Sequence, residues 1–131
     1  MKHQKRGAVC FCLAALLLLL SACGTVFRGE REATDDRYRL EIYELSGSDT
    51  HIFSLAEGDV LRVHFAIAGG EGHLTVTDSE GKELYSGNGE GGPNFALPIR
   101  EDGDYTVTLT GKGASGSLLV ERLPYASNDR T

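Results

Sequence analysis

The chain has 131 residues, with 13 Lys and Arg against 19 Asp and Glu and a formal charge of −6. That length holds one domain, and that sign excludes nucleic-acid binding through phosphates. Gly is abundant at 17, Pro is scarce at 3 and Trp is absent, which is the composition of short apolar strands joined by Gly-rich turns.

A basic start (Lys2, Lys5, Arg6) leads into an apolar run of 13 residues from Ala8 to Leu20. A transmembrane helix needs about 20 residues. The core of a secretory signal needs roughly 7–15, after a positive start and before small residues. Ser21 and Ala22 are small, and Cys23 and Gly24 follow. Leu20-Ser21-Ala22-Cys23 resembles the lipobox of bacterial lipoprotein signal peptides at all four positions. The resemblance implies that residues 1–22 are a cleaved signal peptide and that Cys23 is the lipidation site, carrying palmitate-like acyl chains. The mature protein would then be lipid-anchored at the cell membrane, on its extracytoplasmic face. Each buried methylene contributes about 0.8 kcal/mol, and more than one chain makes such anchoring stable. The competing reading, an uncleaved anchor helix, is disfavoured by length.

Cys10 and Cys12 fall in the removed segment, so their Cys-x-Cys spacing is no metal motif. The mature chain keeps one cysteine and no disulfide. Cleavage removes three of the 13 basic residues and none of the 19 acidic ones, leaving 10 against 19, or −9, on 131 − 22 = 109 residues. Such a charge opposes lying flat on an anionic bilayer and suits a solvated domain.

After Cys23, residues 24–36 (GTVFRGEREATDD) show no period and mixed charge. Residues 23–36 read as a lipidated, disordered tether. Strands are predicted next. Tyr38, Leu40 and Ile42 alternate with Arg39, Glu41 and Tyr43, the two-residue period of a half-buried strand. Ser46–Asp49 reads as a turn into a strand at 50–55. Glu57-Gly58-Asp59 turns into 60–68, where Leu61, Val63, Phe65 and Ile67 share a face. Gly69–Gly72 reads as a hairpin closure, with the chain returning over 73–78. Asp78–Gly81 turns into 82–86, and residues 87–93 form a loop. Phe95, Leu97 and Ile99 mark a sixth strand, which Pro98 places at an edge. Residues 104–110 and 117–123 are the last two strands, split by a turn at Lys112–Ala114. Pro124 stops the pattern, and residues 124–131 read as a loose tail.

Eight short strands over residues 37–123, with no helical period, predict an eight-stranded antiparallel β-sandwich of jelly-roll type. Three segments resemble a known kind of module. They are Phe53–Phe65 with its central Glu57-Gly58-Asp59, Leu74–Gly81 with Asp78, and Asp102–Leu109 with Tyr105. Together they resemble the GOLD-type and bacterial pre-peptidase C-terminal jelly-roll modules. Those modules are non-catalytic and contact proteins or carbohydrates, so the resemblance implies an interaction or accessory role at the cell envelope. The implied partner is an envelope protein or polymer, and no site residue is carried over.

Chemistry-bearing residues are few. His64 and His73 face each other's strands across the predicted hairpin, but its register pairs His64 with Thr77 and His73 with Ala68. That leaves the two about 13 Å apart at roughly 3.3 Å per residue, too far for one zinc. His51 stands alone. Acidic residues gather in two turns, with Asp78 and Glu80 in one and Asp102 and Asp104 in the other. They are the only metal candidates, and calcium is the cation they suit, since it takes oxygens from carboxylates and turn carbonyls. Turn geometry alone also explains them, so no cofactor is expected and calcium or small-ligand binding is the alternative function. Gly87-Asn88-Gly89-Glu90-Gly91-Gly92 has Gly-x-Gly-x-x-Gly spacing, but no helix follows to meet a phosphate. It reads as a mobile rim and contact surface. No Gly-x-Ser-x-Gly, His-Glu-x-x-His or nucleophilic Cys is present, so an enzyme, such as an envelope hydrolase subunit, is not expected. Tyr43, Tyr85 and Tyr125 are the only aromatic candidates for a sugar platform.

Overall fold

The computed structural model describes residues 24–90 and 92–125. Six strands follow in chain order: β1 (Val26–Ala33), β2 (Arg37–Leu55), β3 (Val60–Thr77), β4 (Glu83–Gly87), β5 (Asn94–Pro98) and β6 (Gly103–Leu123). They form one antiparallel sheet in the order β1-β2-β6-β3-β4, with β5 also paired to β3. The protein is therefore all-β, with a jelly-roll-like strand order. Pro98 sits in β5, which among the described residues pairs only with β3, an edge position that suits a residue without an N–H.

Among the described residues the strands number six, not the eight expected. β2, β3 and β6 have 19, 18 and 21 residues, and each absorbs two of the expected strands. Segments 46–49, 69–72 and 112–114 are bends within continuous strands, not reversals. The register slips at or beside each of them, between Ile42 and Gly47 on β2, between Ile67 and Glu71 on β3 and between Gly111 and Gly116 on β6. The predicted hairpin at Gly69–Gly72 does not exist. His64 pairs instead with Leu119 and Asn94, and His73 with Thr110.

β2 shows how sharp these bends are. A straight strand would hold Tyr38 and His51 about 43 Å apart, at roughly 3.3 Å per residue over thirteen steps. Their rings stack with centroids 5.1 Å apart. The strand folds back on itself, and β6 and β3 bend alongside it. One flap holds β1, the first half of β2, the second half of β6, the first half of β3 and β5. The other holds the remaining halves and β4. Both flaps feed one core, with Leu40, Phe65 and Val120 from the first and Phe53, Val76 and Val107 from the second.

The alternation of apolar residues places most of this core, and its misses have local causes. Leu45 and Ala114 are fully buried, yet they sit at bends where slipped register breaks the two-residue period. Ile99 is buried just past β5, where its N–H donates to the Asp59 carbonyl at 2.9 Å. Ile67, Leu84, Phe95 and Leu97, apolar residues of the predicted strands, are only partly buried.

The disordered tether is a second correction. Of its residues, Val26–Ala33 form β1, an edge strand paired along β2. Only Phe27 and Ala33 of β1 pack against the core, so its sequence shows no period. A clasp fixes it in place. Arg31 Nε donates to Asp49 Oδ2 at 2.9 Å, and the guanidinium lies 5.6 Å from the centre of the Tyr38 ring. The Tyr38 hydroxyl donates to the same Asp49 oxygen. His51 Nε2 meets the Thr34 carbonyl at 2.8 Å. Burial, and then the bond to Asp49, push the Tyr38 phenol well above its ordinary value. Its stabilising share is complete below the unfolded value of about 10 and is lost as pH rises towards the folded one. Tyr38→Phe is expected to cost about 1.5–3 kcal/mol, the worth of a hydrogen bond to a charged group. Urea unfolding at neutral pH measures this, and a loss under 0.5 kcal/mol would refute the clasp.

Candidate functional site

The bends of β3 and β6 meet at one end of the molecule. A Cβ on Gly70 would lie 2.1 Å from the Gly113 carbonyl oxygen, so the two backbones touch where no side chain fits. Next to this contact Glu71 pairs with Lys112 and Gly72 with Gly111. The missing side chains leave a groove of about 600 Å³. Asn88 and Glu90, from the loop after β4, form one wall, and Glu71, His73 and Lys112 line the rest. Ile67 is the one large apolar side chain among its lining residues. Small-molecule sites of this volume are mostly apolar and enclosed. This groove instead presents carboxylates, an ammonium, an imidazole and open backbone, which suits a polar segment laid across it.

Asn88 and Glu90 of the Gly-rich loop thus stand at the groove, while Gly91 lies outside the described residues. Sequence reasoning missed Glu71 and Lys112 because a hairpin turn and a strand-to-strand turn were expected there. Their one signal was the density of glycine at 69–72 and 111–116.

The histidines do not come together. His64 Nδ1 meets Asn94 Oδ1 at 2.6 Å, His73 Nε2 meets Ser86 Oγ at 2.7 Å, and His51 belongs to the Tyr38 clasp. The His73–Ser86 pair joins neighbouring strands, and no carboxylate bonds to either partner among the described residues. The aromatic candidates are also dispersed. Tyr43 and Tyr125 are 62% and 57% exposed, while Tyr85 stacks on Phe95 with centroids 4.3 Å apart.

The acidic turns do converge. Asp78 and Glu80 line the same small cavity as Asp102 and Asp104, of about 30 Å³, at the end opposite the bends. One oxygen of each of the three aspartates is held locally. Asp78 Oδ1 accepts from the Glu80 and Lys82 N–H groups, both at 2.9 Å. Asp102 Oδ1 accepts from the Glu57 N–H at 2.7 Å, and Asp104 Oδ1 from the Ser54 hydroxyl at 2.9 Å. Among the described residues no group of three or more His, Cys, Asp or Glu is arranged to hold a metal ion.

Cys23 lies outside the described residues, as do residues 1–22 and most of the predicted tail. Tyr125 of that tail is seated, its N–H donating to Asp59 Oδ1 at 3.0 Å. Among the described residues no helix is long and apolar enough to cross a membrane.

No protein-family model matches the chain, and no curated protein does. Several solved structures are similar. One is PliG of Aeromonas hydrophila, a periplasmic inhibitor of g-type lysozyme, at 15% identity and a TM-score of 0.49, covering 67% of this chain and 87% of that one. Another is CBM27-1 of Caldicellulosiruptor saccharolyticus, solved with mannohexaose, at 14% identity and 0.45, covering 72% and 80%. A third is the accessory secretory protein structure from Streptococcus pneumoniae, at 18% identity and 0.37, covering 76% and 86%. No residue of the groove is carried over from any of them.

Proposed function

We propose that this chain is a lipid-anchored, extracytoplasmic interaction domain that acts by binding rather than by catalysis. Its two flaps would work as a jelly-roll sandwich that presents the bend groove to a protein or polymer of the cell envelope. The observation that carries this is the groove itself, an open concavity of about 600 Å³ lined by Glu71, His73, Asn88, Glu90 and Lys112. No buried side-chain polar atom lacks a partner among the described residues, so the polar groups free for recognition lie on the surface. Leu20-Ser21-Ala22-Cys23 supports the anchor, with cleavage before Cys23 and acylation of its thiol.

The test is a photo-crosslinking amino acid placed at Glu71 or Glu90 in the full chain, within its own envelope. A control position is Arg39, on the outer face of the first flap. Adducts from the two groove positions and not from Arg39 are expected, and equal labelling at all three would end the proposal. The acidic cavity supports a second reading, calcium binding at Asp78, Glu80, Asp102 and Asp104. A melting temperature that rises with added calcium would move the site there.

A further inference from the structure

We infer that the bend end of the domain is seated against the bilayer, with Tyr43 and Val26 at headgroup level and the acidic turns held away from it. This rests on the acylation of Cys23 proposed above. Only Gly24 and Thr25 separate Cys23 from β1. Three steps of extended chain reach about 11 Å, at 3.3–3.6 Å per residue. The short link enters the fold at the bend of β2. Val26 pairs with Ser46, and a Cβ on Gly47 would lie 2.8 Å from Thr25 Cα. The structure thus replaces a long tether with a short one that starts at the bends.

The surface around this entry suits a headgroup layer. Tyr43 is 62% exposed and Val26 43%. Arg28 pairs with Glu44 and Gly29 with Ile42, which leaves Tyr43 as the extra residue of a β-bulge. Ile42 and Leu45 on either side are buried, so Tyr43 and Glu44 both turn to the outer face with Arg28. Tyr43 therefore faces the way Arg28 does, and so does Val26, two residues along β1. Tyrosine favours membrane interfaces because its ring is apolar and its hydroxyl is wet.

Charge orients the other end. From Gly47 at the bend, the second half of β2 runs eight residues to Leu55, about 26 Å at roughly 3.3 Å per residue. Five carboxylates, Asp78, Glu80, Glu101, Asp102 and Asp104, line the cavity there, against Lys82 and Arg100 in the same turns. An anionic leaflet repels that end. At the bend end, Glu44 is paired with Arg28 at 3.2 Å and Lys112 stands across from Glu71, so with Glu90 of the groove three carboxylates face two basic groups there, against five and two at the far end. The domain stands upright and does not lie flat. The bend groove then opens beside the bilayer, where its partner must be reachable.

The acylated mature protein, produced from the full chain, would be reconstituted in vesicles whose lipid headgroups carry a nitroxide. Cys23 is the only cysteine after the signal peptide, so Lys112→Cys and Ser79→Cys each offer a single labelling site for a fluorophore. Quenching severalfold stronger at position 112 than at 79 is expected. Inserting twenty Gly and Ser residues before Gly24 should abolish that difference while leaving the acyl mass on Cys23 unchanged. Equal quenching, or stronger quenching at 79, in protein that carries the acyl mass overturns the seating and leaves the anchor standing. Absence of acyl mass on Cys23 removes the anchor, and the seating with it.

Discussion

Asp59→Ala is expected to destabilise the domain by about 3 kcal/mol, the lower end of the range for breaking a buried ion pair. Asp59 is only 3% exposed. Its Oδ2 accepts from the Ala56 N–H at 2.9 Å and from Arg122 at 3.3 Å, and its Oδ1 accepts from the Tyr125 N–H at 3.0 Å. Alanine leaves two backbone N–H groups without their acceptor. Arg122 keeps Asp36 at 3.0 Å, so its charge is not stranded, which is why the lower end applies. In a domain of this size about 3 kcal/mol is roughly 12–24 °C in melting temperature. Calorimetry on residues 24–131 measures this, and a shift under 5 °C would show that the carboxylate is not a structural anchor.

The same residue predicts a pH dependence. Burial alone would raise the Asp59 carboxyl. The bonds from the Ala56 and Tyr125 N–H groups and from Arg122 outweigh it and hold the group below its ordinary value. Its folded value lies below its unfolded one, so the folded state holds the charge more readily. The contribution is complete above the unfolded value of about 3.9 and is lost as pH falls through the folded one. Asp59→Asn mimics the protonated form. The stability gap between the natural protein and this variant should be constant near neutrality and shrink below about pH 4.

The second large effect is at the bends. Gly70 has φ of +69°, and a Cβ there would lie 2.1 Å from Gly113 O and 2.8 Å from Lys112 O. The left-handed conformation costs a side chain about 1–2 kcal/mol. Backbone atoms cannot swing aside, so forcing them apart adds about 1–3 kcal/mol. Gly70→Ala should therefore cost about 2–5 kcal/mol. Gly113 is the internal control, with φ of +56° and nothing within 4 Å of the Cβ position. Gly113→Ala should show only the conformational cost. Equal losses in the two variants would mean that the strands do not approach as closely as described.

Much of the strand content was legible in the sequence, because residues such as Leu61, Val63 and Phe65 or Tyr105, Val107 and Leu109 alternate strictly. Alternation reports which residues share a face, and a strand that bends keeps its alternation on both sides of the bend. Nothing local distinguishes a Gly-rich bend in one strand from a Gly-rich turn between two. Gly69–Gly72 and Lys112–Ala114 were therefore read as reversals, and the groove they build was not foreseen. β1 was illegible for a different reason. It is an edge strand exposed along most of its length, and its pairing comes from β2 rather than from its own pattern.

By itself the sequence determined that the domain is all-β and acidic and that its inner faces alternate. The likeness of Leu20-Ser21-Ala22-Cys23 to a lipobox implies acylation of Cys23, as proposed above. These follow from composition, two-residue periodicity and a short linear motif, which are local properties. Only the tertiary structure decided that six strands serve where eight were expected, and that the supposed tether is part of the sheet. It also gathered the bends and the chain entry at one end and the acidic turns at the other. Those outcomes depend on how strands far apart in the chain pair and fold back over a common core, and no local pattern encodes that.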